Sequence, residues 1–192
     1  GAGHASFDLS VQDSAGAFDT APNTITIDVT AAADPAVVGG SAEGATLEDT
    51  TLTTGGKLSV TDPDAGEAGF RPRSDVAGAH GTFSIDADGN WTYALNNADP
   101  AVQALGDGQR LPDETFTVTT IDGTTQVVTV SITGVNDTAV LSAGSGSVTE
   151  DVGVVAGNLV TGGALTVSDP DAGESSFQAQ STAGAYGSFT LG

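Results

Sequence analysis

The sequence predicts an all-β protein made of tandem antiparallel β-sandwich domains, and three observations carry that prediction. Short runs of β-branched and aromatic residues alternate with polar ones, Gly, Asn and Asp punctuate the runs, and a long segment returns roughly one hundred residues later. The returning segment is Leu58 to Glu67, whose TDPDAGE run recurs as SDPDAGE within Leu165 to Glu174, so that Asp62 corresponds to Asp169. Downstream, Gly81-Thr82-Phe83-Ser84-Ile85 matches Gly187-Ser188-Phe189-Thr190-Leu191. Upstream, Glu48-Asp49 matches Glu150-Asp151, and Ile25 to Val29 matches Val128 to Ile132. A period of this length is an ordinary domain size.

The repeat frame divides the chain into three parts. Residues 1–33 read as the closing strands of one repeat, 34–136 as a complete repeat, and 137–192 as the opening half of the next. Neither end piece has enough strands to bury a core alone. Together they lack a counterpart of the Trp91 to Leu95 strand, which favours a window in a longer array over ends completed by neighbouring copies.

Within the complete repeat the strands are legible. Phe83 and Ile85, then Trp91, Tyr93 and Leu95, alternate with polar residues on either side of the Asp88-Gly89-Asn90 turn. Phe116 and Val118, then Val128, Val130 and Ile132, do the same around Asp122-Gly123. Asp99 followed by Pro100 supplies a helix N-cap and a first-turn proline, which predicts one short helical turn between the hairpins. About seven short strands per repeat with Gly-rich turns point to an antiparallel sandwich of the immunoglobulin-like or cadherin-like kind.

Composition narrows the function classes. Four basic side chains stand against 25 carboxylates, for a formal net charge of -21. Binding to nucleic acid needs clustered Lys and Arg, and binding to an anionic membrane surface needs the same, so neither partner is expected. No apolar stretch approaches the length of a membrane span, and the N-terminus lacks the charged and apolar regions of a signal peptide. Without cysteine, neither disulfides nor thiolate metal sites can brace the fold. The acids must then be solvated or neutralised by cations, because their repulsion opposes compactness.

The carboxylates gather at the ends of strands: Glu48-Asp49, Asp62-x-Asp64, Asp86-x-Asp88 and the linker Asn136-Asp137. Oxygen donors at one-residue spacing on a loop are what calcium requires, whereas Asp and Gly are also simply good turn formers. Asp86-x-Asp88-Gly89 reads as a turn. Asp62-x-Asp64 reads as a calcium loop, since it recurs as Asp169-x-Asp171 beside the recurring pair Glu150-Asp151. The spacing is not that of an EF-hand.

The stretch from Leu58 to Asp137, with its TDPDAGE, GTFSIDADGNWTYALNN, VQAL and ETFTVTTIDGTTQVVTVSITGVND runs, closely resembles the VCBS repeat of large bacterial surface proteins. The resemblance implies an extracellular, repetitive protein of the bacterial cell surface, often an RTX-type adhesin exported by type I secretion and used in attachment or biofilm formation. The same run is similar to a cadherin pattern, in which an Asp-x-Asp loop and an Asn-Asp linker frame calcium at domain junctions. Carried onto this sequence, Asn136 and Asp137 would meet Asp169 and Asp171 of the following domain. Glu48 and Asp99 would reach the same joint from the preceding one. At the earlier junction the linker reads Ala33-Asp34, so the Asn ligand is missing and that joint should hold fewer ions, or hold them weakly.

No catalytic constellation is expected. His80 is replaced in the next repeat by Tyr186, His4 lies near the chain end, and GxSxG and HExxH are absent. Paired carboxylates can cleave glycosides, but here they sit at repeat joints. Trp91 could stack on a sugar, yet its alternation with Tyr93 and Leu95 makes it core. The sequence thus predicts a non-enzymatic spacer stiffened by calcium, with neighbouring repeats as partners. The alternatives are a module that grips a glycan or protein, and a filament or biofilm-matrix subunit completed by strands from other copies.

Overall fold

A computed structural model describes residues 3–21 and 23–192. The central repeat begins with β3 (Val37–Gly40) and β4 (Glu43–Leu47), preceded by a hairpin of β1 (Gly3–Leu9) and β2 (Asn23–Val29). It continues through β5 (Thr53–Thr61), β6 (Arg73–Ala77), β7 (Gly81–Ile85), β8 (Asn90–Leu95), a four-residue helix α1 (Pro100–Gln103), β9 (Glu114–Thr119) and β10 (Thr125–Thr133). Two sheets form, ordered β3-β5-β8-β7-β6 and β4-β10-β9.

The alternation seen in the sequence becomes the core between the sheets. Phe83, Ile85, Trp91, Tyr93, Leu95, Phe116, Val118, Val128, Val130 and Ile132 are all buried, joined by Leu58, Phe70, Val102 and Leu105. Phe83 of β7 stacks on Phe116 of β9 with centroids 4.6 Å apart, which ties one sheet to the other. Both sequence-predicted hairpins form, β7 with β8 and β9 with β10. Asp86 accepts from the amides of Asp88 and Asn90 and from the Asn90 side chain, so its carboxylate closes the first hairpin turn. The helical turn forms as well, with the Asp99 side chain accepting from the Ala101 amide and Pro100 at the helix start.

One pairing departs from the antiparallel expectation. β4 runs parallel to β10, because the chain leaves the first sheet after β3 and crosses to the second. Gly40, at φ 94, makes the corner between β3 and β4, a backbone state that side chains resist. The parallel register sets Leu47 opposite Thr133, so β4 and β10 end side by side. Glu48 and the linker that leaves β10 therefore emerge together.

The outer segments follow the same plan. In the β1–β2 hairpin Phe7 lies opposite Ile25, as Phe116 lies opposite Val128 in the central repeat. Beyond the linker, β11 (Val140–Leu141) pairs with β14 (Val167–Ser168) as β3 pairs with β5. Between them lie β12 (Val154–Val155) and β13 (Asn158–Leu159), paired with each other. Last, β15 (Gln180–Gly184) pairs with β16 (Gly187–Leu191) as β6 pairs with β7. No helix among the described residues is long and apolar enough to cross a membrane.

Candidate metal centre

Three stretches of chain meet beyond the ends of β4 and β10. The first is Glu48-Asp49, the second the linker Asn136-Asp137, and the third the loop Asp169 to Glu174. Glu48 is fully buried and its amide donates to Thr133 O (3.0 Å), which continues the parallel ladder by one residue. Its Oε1 accepts from the Gln103 amide group (3.0 Å) and its Oε2 from the Val135 amide (3.3 Å). Asp49 sits at φ 57 and exchanges hydrogen bonds with Asn97, which locks that tight turn.

The third stretch folds on itself before it meets the others. The Asp169 carboxylate accepts from the Asp171 amide (3.0 Å), and the Asp171 carboxylate accepts from the Asp137 amide (2.9 Å). Asp169, Asp171 and Glu174 bring one carboxylate oxygen each within 4.8 Å of one another. The Asp49 carboxylate lies near enough to that of Asp137 to repel it. A segment of one repeat, the linker and a loop of the next thus converge with six acids.

The earlier junction repeats the two carboxylate bonds of this loop. The Asp34 amide donates to the Asp64 carboxylate (2.8 Å), and the Asp64 amide donates to Asp62 (2.8 Å). Asp62, Asp64 and Glu67 form the second three-carboxylate group. Ala33 stands where the later linker has Asn136.

Such clustering is costly without a counter-charge. Burial, followed by the neighbouring Asp137, Asp49 and Asp171, pushes the Glu48 carboxyl above its ordinary range. Burial, then Asp49 and Asp171, does the same to Asp137. Asp62 Oδ2, Asp137 Oδ2 and Asp171 Oδ1 are buried and have no hydrogen-bond partner among the described residues. Unpaired buried carboxylate oxygens are strongly unfavourable unless a cation meets them. Hard oxygen donors in this number fit calcium in particular.

Not every expected ligand is here. Asp99 is committed elsewhere: one oxygen caps α1 through the Ala101 amide, and the other faces His80 Nδ1 at 2.9 Å. Those contacts, the Ala101 amide first, hold its carboxyl below the usual range. Glu150 and Asp151 are exposed at a turn of the following segment, where Asp151 at φ 61 repeats the backbone of Asp49. Asn136 is exposed and donates to its neighbour, Asp137 O. Sequence reasoning passed over Glu67 and Glu174, although a glutamate closes both copies of the TDPDAGE run. It also passed over Gln103, which no local signal marks.

A pH dependence follows from the raised carboxyls. A buried acid with a raised folded-state pKa stabilises the assembled form when protonated, so the contribution is present at low pH and is lost as pH rises through the raised value. In chelator, the Ala172 amide, which bonds to Ala104 O across the joint (3.1 Å), should therefore gain protection from hydrogen exchange as pH is lowered from 7 towards about 5. Protection that stays constant, after correction for intrinsic exchange, would show that repulsion among these acids does not open the joint.

A family model described as the bacterial cadherin-like domain matches residues 33–134, just over half of the chain. No curated protein matches it. The matched segment coincides with the central sandwich and stops at the start of the acidic linker.

Proposed function

We propose that this chain, which belongs to the bacterial cadherin-like domain family, is a run of extracellular spacer repeats whose joints are stiffened by calcium. Within that family we assign it more finely to VCBS-type repeats of RTX-like surface adhesins, serving attachment and biofilm formation, on the strength of the TDPDAGE and GVND runs. The observation that carries the reading is the set of buried, unpartnered oxygens on Asp137 of the linker and Asp171 of the following repeat, gathered beside the buried Glu48 of the preceding one. A non-catalytic role accords with this placement, since the polar chemistry lies at the joints between sandwiches.

The protein's own residues perform most of the work. Glu48, Asp49 and Asp137 are fixed on one sandwich by the parallel β4–β10 ends and by Asn97. Asp169, Asp171 and Glu174 are fixed on the next by their own loop bonds. Calcium would supply the positive charge that holds these two sets together. At the earlier junction Asp34, Asp62, Asp64 and Glu67 repeat the linker and loop part of that set. Neighbouring repeats are then the principal partners.

Calorimetric titration tests this directly. Calcium should bind with dissociation constants of roughly 0.1 to 1 mM, the range of extracellular modules. A tenfold excess over such a constant stabilises the bound form by about 1.4 kcal/mol, enough to raise the melting temperature by several degrees. No heat of binding together with an unmoved melting temperature would remove calcium from the reading.

A further inference from the structure

We infer that Gln103 is a positioning residue for the joint, and that α1 clasps consecutive repeats through contacts that need no ion. Three observations meet on this helix. Gln103 Nε2 donates to Glu48 Oε1 at 3.0 Å, across 55 residues of chain. Ala104, the C-cap residue of α1, accepts through its carbonyl from the Ala172 amide of the following repeat at 3.1 Å. A Cβ added at Gly106 would come within 3.2 Å of Glu174 Oε1, so the loop after α1 lies against the same acidic stretch.

The helix is too short to be stable alone and is held by its surroundings. Val102 is fully buried and Leu105 nearly so, which pins its inner face to the core. Asp99 caps its start. Gln103 and Ala104 are thereby delivered to the joint at fixed positions. The choice of an amide matters, because a neutral donor orients a buried carboxylate while leaving its charge available to a cation. A basic side chain at 103 would orient Glu48 equally well but would cancel that charge.

This inference rests on the calcium reading for only one of its measurements. In the whole chain, Gln103→Ala and Gln103→Lys are compared with Gln126→Ala, which removes a distant, half-buried glutamine of β10. In chelator, Gln103→Ala should speed exchange of the Val135 and Ala172 amides by about tenfold, the loss expected for a hydrogen bond to a charged group. The Tyr93 amide, deep in β8, should be unchanged, which a general loosening of the sandwich would not allow. Gln103→Lys should keep the Ala172 amide protected yet weaken calcium binding by about tenfold or more. Wild-type exchange at Val135 and Ala172 in Gln103→Ala, or equal acceleration at Tyr93, would overturn the inference. Absence of calcium binding by the unaltered chain would instead sink the proposed function, with the exchange result still deciding the role of Gln103.

Discussion

Replacing Trp91 by alanine should destabilise the central sandwich by about 3 to 5 kcal/mol, the loss seen when large aromatic side chains are removed from cores. The indole is 1% exposed and lies between the sheets, 6.1 Å from the Phe83 ring. Its fit depends on glycines in both sheets. A Cβ at Gly44 of β4 would stand 2.8 Å from the ring, and one at Gly56 of β5 would stand 2.9 Å from its Nε1. With backbone so close on both sides, the sandwich cannot simply collapse into the space left by alanine. The substitution also strips Ser41 O of its donor, since Trp91 Nε1 bonds to it at 2.7 Å just where the chain crosses from β3 to β4. Urea denaturation with calcium held constant should show the midpoint falling. Trp91→Phe should recover part of the loss by refilling the space, though not the bond to Ser41. A cost below about 1 kcal/mol, accompanied by altered sugar binding, would identify the ring as a binding platform.

The hairpins and the core were legible because a half-buried strand must alternate, and the strands on either side of the Asp88-Gly89 and Asp122-Gly123 turns do so. The acidic loops were legible through recurrence, since a turn-forming role alone does not require Asp-x-Asp to return with its flanking residues. Other features depend on contacts far apart in the chain. The parallel β4–β10 pairing arises from a crossing at Gly40, and a Gly-Gly pair shows a corner without showing which sheet follows it. β6 was equally hidden: its register shifts between Arg73 and Val76, with Asp75 at φ 50, so no run of alternation marks it. Asp99 shows two readings in competition, for the same carboxylate that resembles a joint ligand is also the N-cap of α1, and the local bond prevails. Gln103 could not be singled out at all. Its role exists only because the helix packs end-on against Glu48.

Calcium should convert a jointed chain into a straight rod, and the largest functional effect should follow from removing the charges of Asp169 and Asp171. A tandem array of the 34–136 repeat should scatter as a long, straight particle with calcium and as a more flexible one with chelator. Far-ultraviolet circular dichroism should change little, because each sandwich keeps its own core. Chelation restores repulsion in the array between Glu48 and Asp49 of one copy and Asp34, Asp62, Asp64 and Glu67 of the next, as it does in the present chain among Glu48, Asp49, Asp137, Asp169, Asp171 and Glu174, and the joint opens against the few bonds that span it. In the present chain, Asp169→Asn with Asp171→Asn preserves shape and leaves one acceptor oxygen on each side chain but gives up two charges, so calcium affinity at that joint should fall by more than about tenfold. Calcium should then no longer add protection to the Ala172 and Asp137 amides. The earlier junction provides an internal comparison, since the Asp34 amide bonds to Asp64 as Asp137 bonds to Asp171. Calcium should accordingly protect the Asp34 amide as well, and the Asp169→Asn, Asp171→Asn replacement should leave that protection unchanged. If array scattering is identical with and without calcium, these acids are soluble turn residues on a rod whose stiffness comes from packing, and the contact between α1 and Ala172 becomes the principal connection between repeats.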